Sequence, residues 1–229
     1  MLAAFAFAVT GAGDAPAERR VETLGRSVQG RPIRALVLGS PAAAHRILVV
    51  GCIHGNECEG IDVTRRVARA RIPTGTRIWI VHQLNPDGFA RRTRQNARGV
   101  DLNRNFPSEW RQTGKPWDAE YPGARPLSEP ETRAARRLVL RVRPDVTLWF
   151  HQPQAVVRAW GRSRYVARRY ARLAGVGYRS MRWPRGSAPN WQNRAFARSS
   201  SFVVELRRGE LGGAAAWRYA KGIVRLSPR

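Results

Sequence analysis

The chain has 229 residues, 43% of them hydrophobic, and sets 41 Lys+Arg against 16 Asp+Glu for a formal net charge of +25. That length fits one α/β domain and leaves little room for a second, while the composition excludes disorder over most of the chain. So basic a chain ordinarily points to an anionic partner, but the excess is almost all arginine (Lys115 and Lys221 are the lysines) and is scattered, with no basic block and no basic helix interleaved with aromatics, so specific nucleic-acid binding is not expected. An arginine-rich coding background, or adhesion to an anionic cell-wall polymer, accounts for the charge.

Residues 1–13 are apolar and small, too short to span a bilayer. They are similar to the apolar core and small-residue end of a secretory signal but lack its basic start. With the polar, proline-containing stretch 14–20 they make a signal-like or disordered lead-in, residues 1–20, before a domain at residues 21–229. Export in a bacterium, secreted or wall-associated, is the expectation, and cytoplasmic residence the alternative. No other segment reads as transmembrane.

Val21 to Val28 and Ile33 to Leu38 flank Gln29-Gly30-Arg31-Pro32 and predict a hairpin. Arg46 to Val50 reads as a short buried strand and Cys58 to Ala70 as a helix, stopped by Ile72-Pro73-Thr74-Gly75. Arg77 to Leu84 alternates as a strand does. Asn85 to Lys115 is long, polar and rich in Gly, Pro and Asn, and a loop of that length in a compact domain is usually functional. Ser128 to Val142 predicts a helix with Ser128 as cap, Pro130 next and Glu131 three residues on. Asp145 to Phe150 is a strand, Tyr165 to Leu173 a helix, Gln192 to Ala197 a short helix, Ser201 to Leu206 a strand and Ala214 to Leu226 the closing helix. Strands alternating with helices, several of them apolar without alternation, predict a three-layer α/β/α domain around a central mixed, mostly parallel sheet. Sites in such sheets lie at the carboxyl ends of strands, where His54, Asn85, His151 and Glu205 all fall.

His54 and Glu57 lie three positions apart in His54-Gly55-Asn56-Glu57, with Gly55 free to bend so that both side chains reach one ion. His151 is a distant third donor. Two near ligands and one remote, with a fourth position open to water, is the donor count of a catalytic zinc site holding one ion. His82 reads as structural and His45 as an exposed turn residue. Glu205, partly desolvated among Phe202, Val203, Val204 and Leu206, is the general-base candidate, with a plain ion pair to Arg207 or Arg208 as the alternative. Arginines beside an amide in the long loop can hold a carboxylate in bidentate fashion or stabilise an oxyanion. Cys52 and Cys58 bracket the His–Glu pair, either as a disulfide or as two buried thiols.

The ordered set His54-Gly-Asn-Glu57, Asn85-Pro-Asp-Gly88, Gly99-Val-Asp-Leu-Asn-Arg-Asn-Phe106, Ser128-Glu-Pro-Glu-Thr132, His151 and Glu205 resembles the zinc carboxypeptidase family, from about residue 21 to the end. Within it the short form looks most like bacterial murein peptide amidases, which open the amide between γ-D-glutamate and diaminopimelate. The resemblance implies zinc on His54, Glu57 and His151, Glu205 as base, and a terminal carboxylate gripped by Asn103 and Arg104. It implies an oxyanion arginine at Arg94, or at Arg91 if the longer spacing applies. Tyr178 is the candidate for the substrate-capping tyrosine, and no residue from Gly175 to Ser200 stands out for side-chain specificity. The expected substrate is a peptide with a free terminal carboxylate, murein-derived. The alternatives are a broader carboxypeptidase, an N-acyl amino acid deacylase, and a non-catalytic basic wall-binding protein.

Overall fold

The computed structural model describes residues 18–226, so residues 1–17 of the signal-like lead-in lie outside the described residues. The predicted hairpin forms from β1 (Glu18–Arg26) and β2 (Pro32–Gly39), with Glu18 to Arg20 already in the strand. There follow β3 (His45–Val50), α1 (Gly60–Val67), β4 (Thr76–Val81), α2 (Pro86–Arg91) and a 3-10 turn, Leu102–Arg104. After these come α3 (Pro130–Val142), β5 (Val146–His151), β6 (Gln154–Ala159), α4 (Arg164–Ala174), β7 (Gly177–Ser180), α5 (Ala188–Ala195), β8 (Ser200–Arg207) and α6 (Gly213–Val224).

Eight strands make one mixed sheet in the order β1-β2-β4-β3-β5-β8-β6-β7. β4, β3, β5 and β8 run parallel at its centre. Their apolar runs, such as Ile47 to Val50 and Val146 to Phe150, are buried on both faces, which is why they show no alternation. α1 and α4 each pack on α6 in one layer, while α3 contacts β1 and α5 contacts β8. No helix among the described residues is long and apolar enough to cross a membrane.

The topology decides where the chemistry sits. From β3 the chain crosses through α1 to β4 on one side, then returns to lay β5 on the other side of β3. That reversal opens a crevice at the carboxyl ends of β3 and β5. β8 lies beside β5 with Glu205 in register with His151.

Several elements differ from their sequence expectations. α2 sits inside the stretch expected to be loop, because Asn85 caps it: Oδ1 accepts from the Gly88 N–H at 2.9 Å. Asn85 is therefore a structural cap, not a site residue. Ser128 does not cap α3. The position belongs to Glu129, and the Ser128 hydroxyl instead donates to the Glu129 carboxylate. β6 and β7 escape the pattern because they lie towards one edge and leave several residues in solvent, and β7 is also short. His45 opens β3 and pairs with Asp145 at 3.3 Å, so it is not a free turn residue.

Candidate metal centre and active site

The loop leaving β3 tightens at once. The Glu57 N–H donates to the His54 carbonyl at 3.0 Å, turning both side chains of the motif to one side. Gly55 matters here for contact rather than for bending. A Cβ on it would lie 1.9 Å from the Gly88 carbonyl carbon, so only glycine lets the ligand loop rest on the start of α2. Cys52 and Cys58 are joined as a disulfide with Cα atoms 4.8 Å apart, bridging the ligand loop.

His54 Nδ1 lies 3.1 Å from Glu57 Oε2, and His151 Nδ1 lies 3.2 Å from that oxygen and 3.1 Å from His54 Nδ1. Donors held about 2.0–2.1 Å from a tetrahedral zinc stand roughly 3.3–3.4 Å apart, so this triangle has the size of one tetrahedral face. Two imidazole nitrogens facing each other at 3.1 Å repel unless a proton or a cation lies between them. The donor chemistry therefore fits the ion, and among the described residues this is the one His/Cys/Asp/Glu group so placed. His82 stays outside it, its Nδ1 bonded to the Thr64 hydroxyl at 2.7 Å.

Asp101 is a functional residue that sequence reasoning passed over. Fully buried, its Oδ1 lies 2.9 Å from His54 Nε2, while Oδ2 accepts from Arg94 Nε and Nη2 at 3.0 and 2.9 Å. A carboxylate on Nε2 keeps the proton there and leaves the Nδ1 lone pair for a metal. Burial pushes the His54 pKa down, but the charge and hydrogen bond of Asp101 more than reverse it and the value stands above normal. Burial acts upward on Asp101, yet His54 and then Arg94 outweigh it and hold the carboxyl well below its usual range. Glu57 behaves alike: burial acts upward, but hydrogen bonds from His151 and His54 hold it far below normal. His151 lies below its usual value because burial prevails over the pull of Glu57. Asp101→Asn is expected to weaken zinc binding roughly 10- to 100-fold, the usual worth of such a partner, measured by competition with a chromophoric chelator. Unchanged affinity would mean that His54 is oriented by something else.

Glu205 is 5% exposed. Its Oε1 accepts from Arg158 Nη1 at 3.0 Å, and Oε2 has no partner among the described residues. The partners foreseen from sequence, Arg207 and Arg208, are both exposed. The ion pair comes instead from β6, which the sequence did not reveal.

The Gly99 to Phe106 stretch divides its work by position. Phe106 is buried and stacks on Trp191 at 5.5 Å, anchoring the segment. Asn105 ties down the following loop, its Nδ2 donating to the Pro122 carbonyl at 2.7 Å and its Oδ1 accepting from the Thr132 hydroxyl at 2.7 Å. Between these anchors, Asn103 sits 3.4 Å from His151 Nε2 and accepts from the Ala188 N–H at 3.0 Å. Arg104 donates to the carboxylate of Glu120, an exposed residue, at 2.5 Å. Arg94 Nη1 reaches Glu57 Oε1 at 2.7 Å, whereas Arg91 is exposed on α2.

His54, Glu57, Arg94, Asn103, Arg104, His151 and Glu205 all line one cavity of about 390 Å³. Tyr178 does not. It lies on β7 with the Arg168 guanidinium 4.9 Å over its ring, and the aromatic residue in the cavity wall is Trp183.

A family model described as zinc carboxypeptidase matches residues 6–221. Murein peptide amidase A of Escherichia coli (strain K12) is 34% identical over 148 residues, 59% of this chain and 60% of that relative. The human carboxypeptidase N catalytic chain is 31% identical over 164 residues, 54% of this chain and 35% of its own length. The chain thus spans about three fifths or less of these curated relatives. The crystal structure of a murein-tripeptide amidase from Escherichia coli O157 superposes with TM-score 0.73 at 26% identity, covering 91% of this chain and 93% of that one. Carboxypeptidase A from Helicoverpa armigera shares the fold at TM-score 0.80 and 18% identity, with 91% and 67% covered.

Proposed function

We propose, because this chain belongs to the zinc carboxypeptidase family, that it is a zinc-dependent hydrolase removing the C-terminal residue of a peptide. We propose further that the peptide is murein-derived and that the bond opened is the γ-D-glutamyl–diaminopimelate amide. The observation that carries the reading is convergence on one cavity of the His54–Glu57–His151 triangle, a buried carboxylate with a free oxygen at Glu205, and the arginines Arg94 and Arg104. The murein substrate draws support from the resemblance to murein peptide amidase A and to the murein-tripeptide amidase structure. Export, secreted or wall-associated, is part of the same proposal, with cytoplasmic cleavage of wall peptides taken up by the cell as the alternative.

His54, Glu57 and His151 would hold the zinc ion. When bound, it supplies Lewis acidity, polarising the scissile carbonyl and acidifying a water molecule. Glu205 takes a proton from the attacking water on its unpartnered Oε2 and passes it to the amide nitrogen as the C–N bond breaks. Water's oxygen stays on the carbonyl carbon and the amine leaves with the proton. Arg94, clamped beside the ligands by Glu57 and Asp101, presents its positive charge to the oxyanion. Asn103 and Arg104 hold the terminal carboxylate, which confines cleavage to chain ends.

Arg104 is paired with Glu120, and an incoming carboxylate must displace that partner. Glu120→Gln is accordingly expected to lower KM roughly 1.5- to 5-fold with kcat little changed, the scale of an exposed ion pair. Steady-state kinetics decides this, and a raised KM would instead place Glu120 among the substrate contacts. The function itself is tested by mass spectrometry of products from a defined murein tripeptide, with and without a chelator. Release of diaminopimelate that the chelator stops is expected; an intact tripeptide beside cleaved ordinary peptides or acylated amino acids would move the assignment to a general carboxypeptidase or a deacylase.

A further inference from the structure

The arginines of this chain are scattered, but its acids are not. Residues 146–204 carry eleven arginines and no lysine, aspartate or glutamate. This stretch builds β5, β6, α4, β7 and α5 and reaches the edge of the sheet at β7. Acids from outside reach three of its arginines: Glu205 pairs with Arg158, and Glu109 with Arg182 and Arg194. No carboxylate among the described residues pairs with Arg164, Arg168, Arg172 or Arg179.

Three of those four stand in a row. Arg164, Arg168 and Arg172 recur every fourth residue along α4, so they share one side of the helix, and all three are exposed. The opposite side, with Ala167, Tyr170, Ala171 and Ala174, is buried. The row is tied to the sheet edge where Arg168 lies over the ring of Tyr178 on β7, and Arg179 is exposed on that same strand. One charge every four residues is one about every 6 Å along the helix axis. Like charges so placed repel, and a polyanion lying along them neutralises the row and releases its own counterions.

The surroundings of the row narrow the class of partner. An anionic bilayer takes up a helix through an apolar face, and that face of α4 is already buried in the fold. Single-stranded nucleic acid stacks its bases on a series of aromatic side chains, and Tyr165 is the one aromatic residue exposed on α4. A polymer of short polyol units joined by phosphodiesters needs neither feature: it repeats one negative charge on the scale of the arginine spacing, with only hydroxyls between. We propose that the α4–β7 face docks a polyol phosphate polymer of the bacterial wall. The choice of a wall polymer rests on the murein reading and on export. β6, which adjoins β7, supplies Gln154 and Arg158 to the active-site cavity, so docking at this edge holds the cavity beside the wall.

Titration of fluorescently labelled poly(glycerol phosphate) with the whole chain tests this. The wild type is expected to bind, more weakly as salt rises. Replacing Arg164, Arg168 and Arg172 together by glutamine, which keeps the helix propensity, should weaken binding roughly 5- to 100-fold, the worth of three exposed ion pairs. Replacing Arg34, Arg69 and Arg71 by glutamine removes the same charge from exposed positions outside the acid-free stretch and should leave binding close to wild type. Thermal melting checks that both variants fold. An equal loss in the two variants would mean that net charge, not this face, holds the polymer, and the proposal falls. It falls also if the wild type does not bind, or if single-stranded DNA of matched charge or phosphatidylglycerol vesicles bind more tightly than the polymer. None of the three α4 arginines lines the cavity, so cleavage of a free murein tripeptide should be unchanged in their variant. A tripeptide left intact by wild type and variant alike sinks the hydrolase reading, whereas the docking face is judged on the polymer titration.

Discussion

Replacing His54 with alanine is expected to strip the protein of zinc and, with it, of hydrolysis. The three donors sit at mutual distances of 3.1 to 3.2 Å, so each supplies a third of the protein's share of the coordination. Loss of an outer partner of a zinc ligand costs about 10- to 100-fold in affinity, and loss of the ligand itself costs more. The substitution also leaves Asp101 buried without the imidazole at 2.9 Å, though Arg94 and the Asn103 N–H at 2.8 Å still engage it. The folded chain should therefore persist while the site does not. Elemental analysis after dialysis should find about one zinc per wild-type chain and close to none in His54→Ala. Stoichiometric zinc retained by the variant would remove His54 from the ligand set.

Glu205→Gln should have the opposite profile: zinc retained, turnover lost. Glutamine has the same shape, and its Oε1 still accepts from Arg158 Nη1, so the packing beside His151 is preserved. What disappears is the basic oxygen that takes the proton from water. A positioned general base contributes about 10² to 10⁴ in rate, so kcat should fall by that factor while zinc content and thermal stability stay near wild type. Near-normal turnover would leave Glu205 as no more than the counter-ion of Arg158. The two variants together separate a lost metal from a lost base, which a single inactive mutant cannot do.

Much of the fold was legible because burial writes itself into the central strands. Ile47 to Val50, Val146 to Phe150 and Phe202 to Val204 are apolar runs because the parallel strands that carry them are covered on both faces. The polar residues that end those runs, His54, His151 and Glu205, were visible for the same reason. β6 and β7 left no such trace, since partial exposure, at Gln154 and Ala155 in β6 and at Gly177, Arg179 and Ser180 in β7, leaves them without a long apolar run. α2 hid within Pro86-Asp87-Gly88, which reads as a turn until Asn85 is seen to cap it. The Ser128 to Thr132 stretch looked like a helix cap, but much of it holds up the long loop: Glu129 and Glu131 both accept from Asn96 Nδ2, and Thr132 donates to Asn105.

Sequence by itself determined the class of fold and pointed to His54, Glu57, His151 and Glu205 as candidates, because donor chemistry and strand burial are properties of residue type and order, and the structure brings the first three within 3.2 Å of one another. The family resemblance favoured Arg94 over Arg91 as the oxyanion arginine, and of the two it is Arg94 that lines the cavity. Only the tertiary structure decided which groups control those residues. Asp101 meets His54 across 47 positions and Arg158 meets Glu205 across 47 positions. Such pairings arise from strand order, from the crossover that opens the crevice, and from a loop anchored by Phe106 in the core. A buried charge takes whatever partner the packed backbone brings within hydrogen-bonding distance, and in this chain those partners came from elsewhere in the sequence.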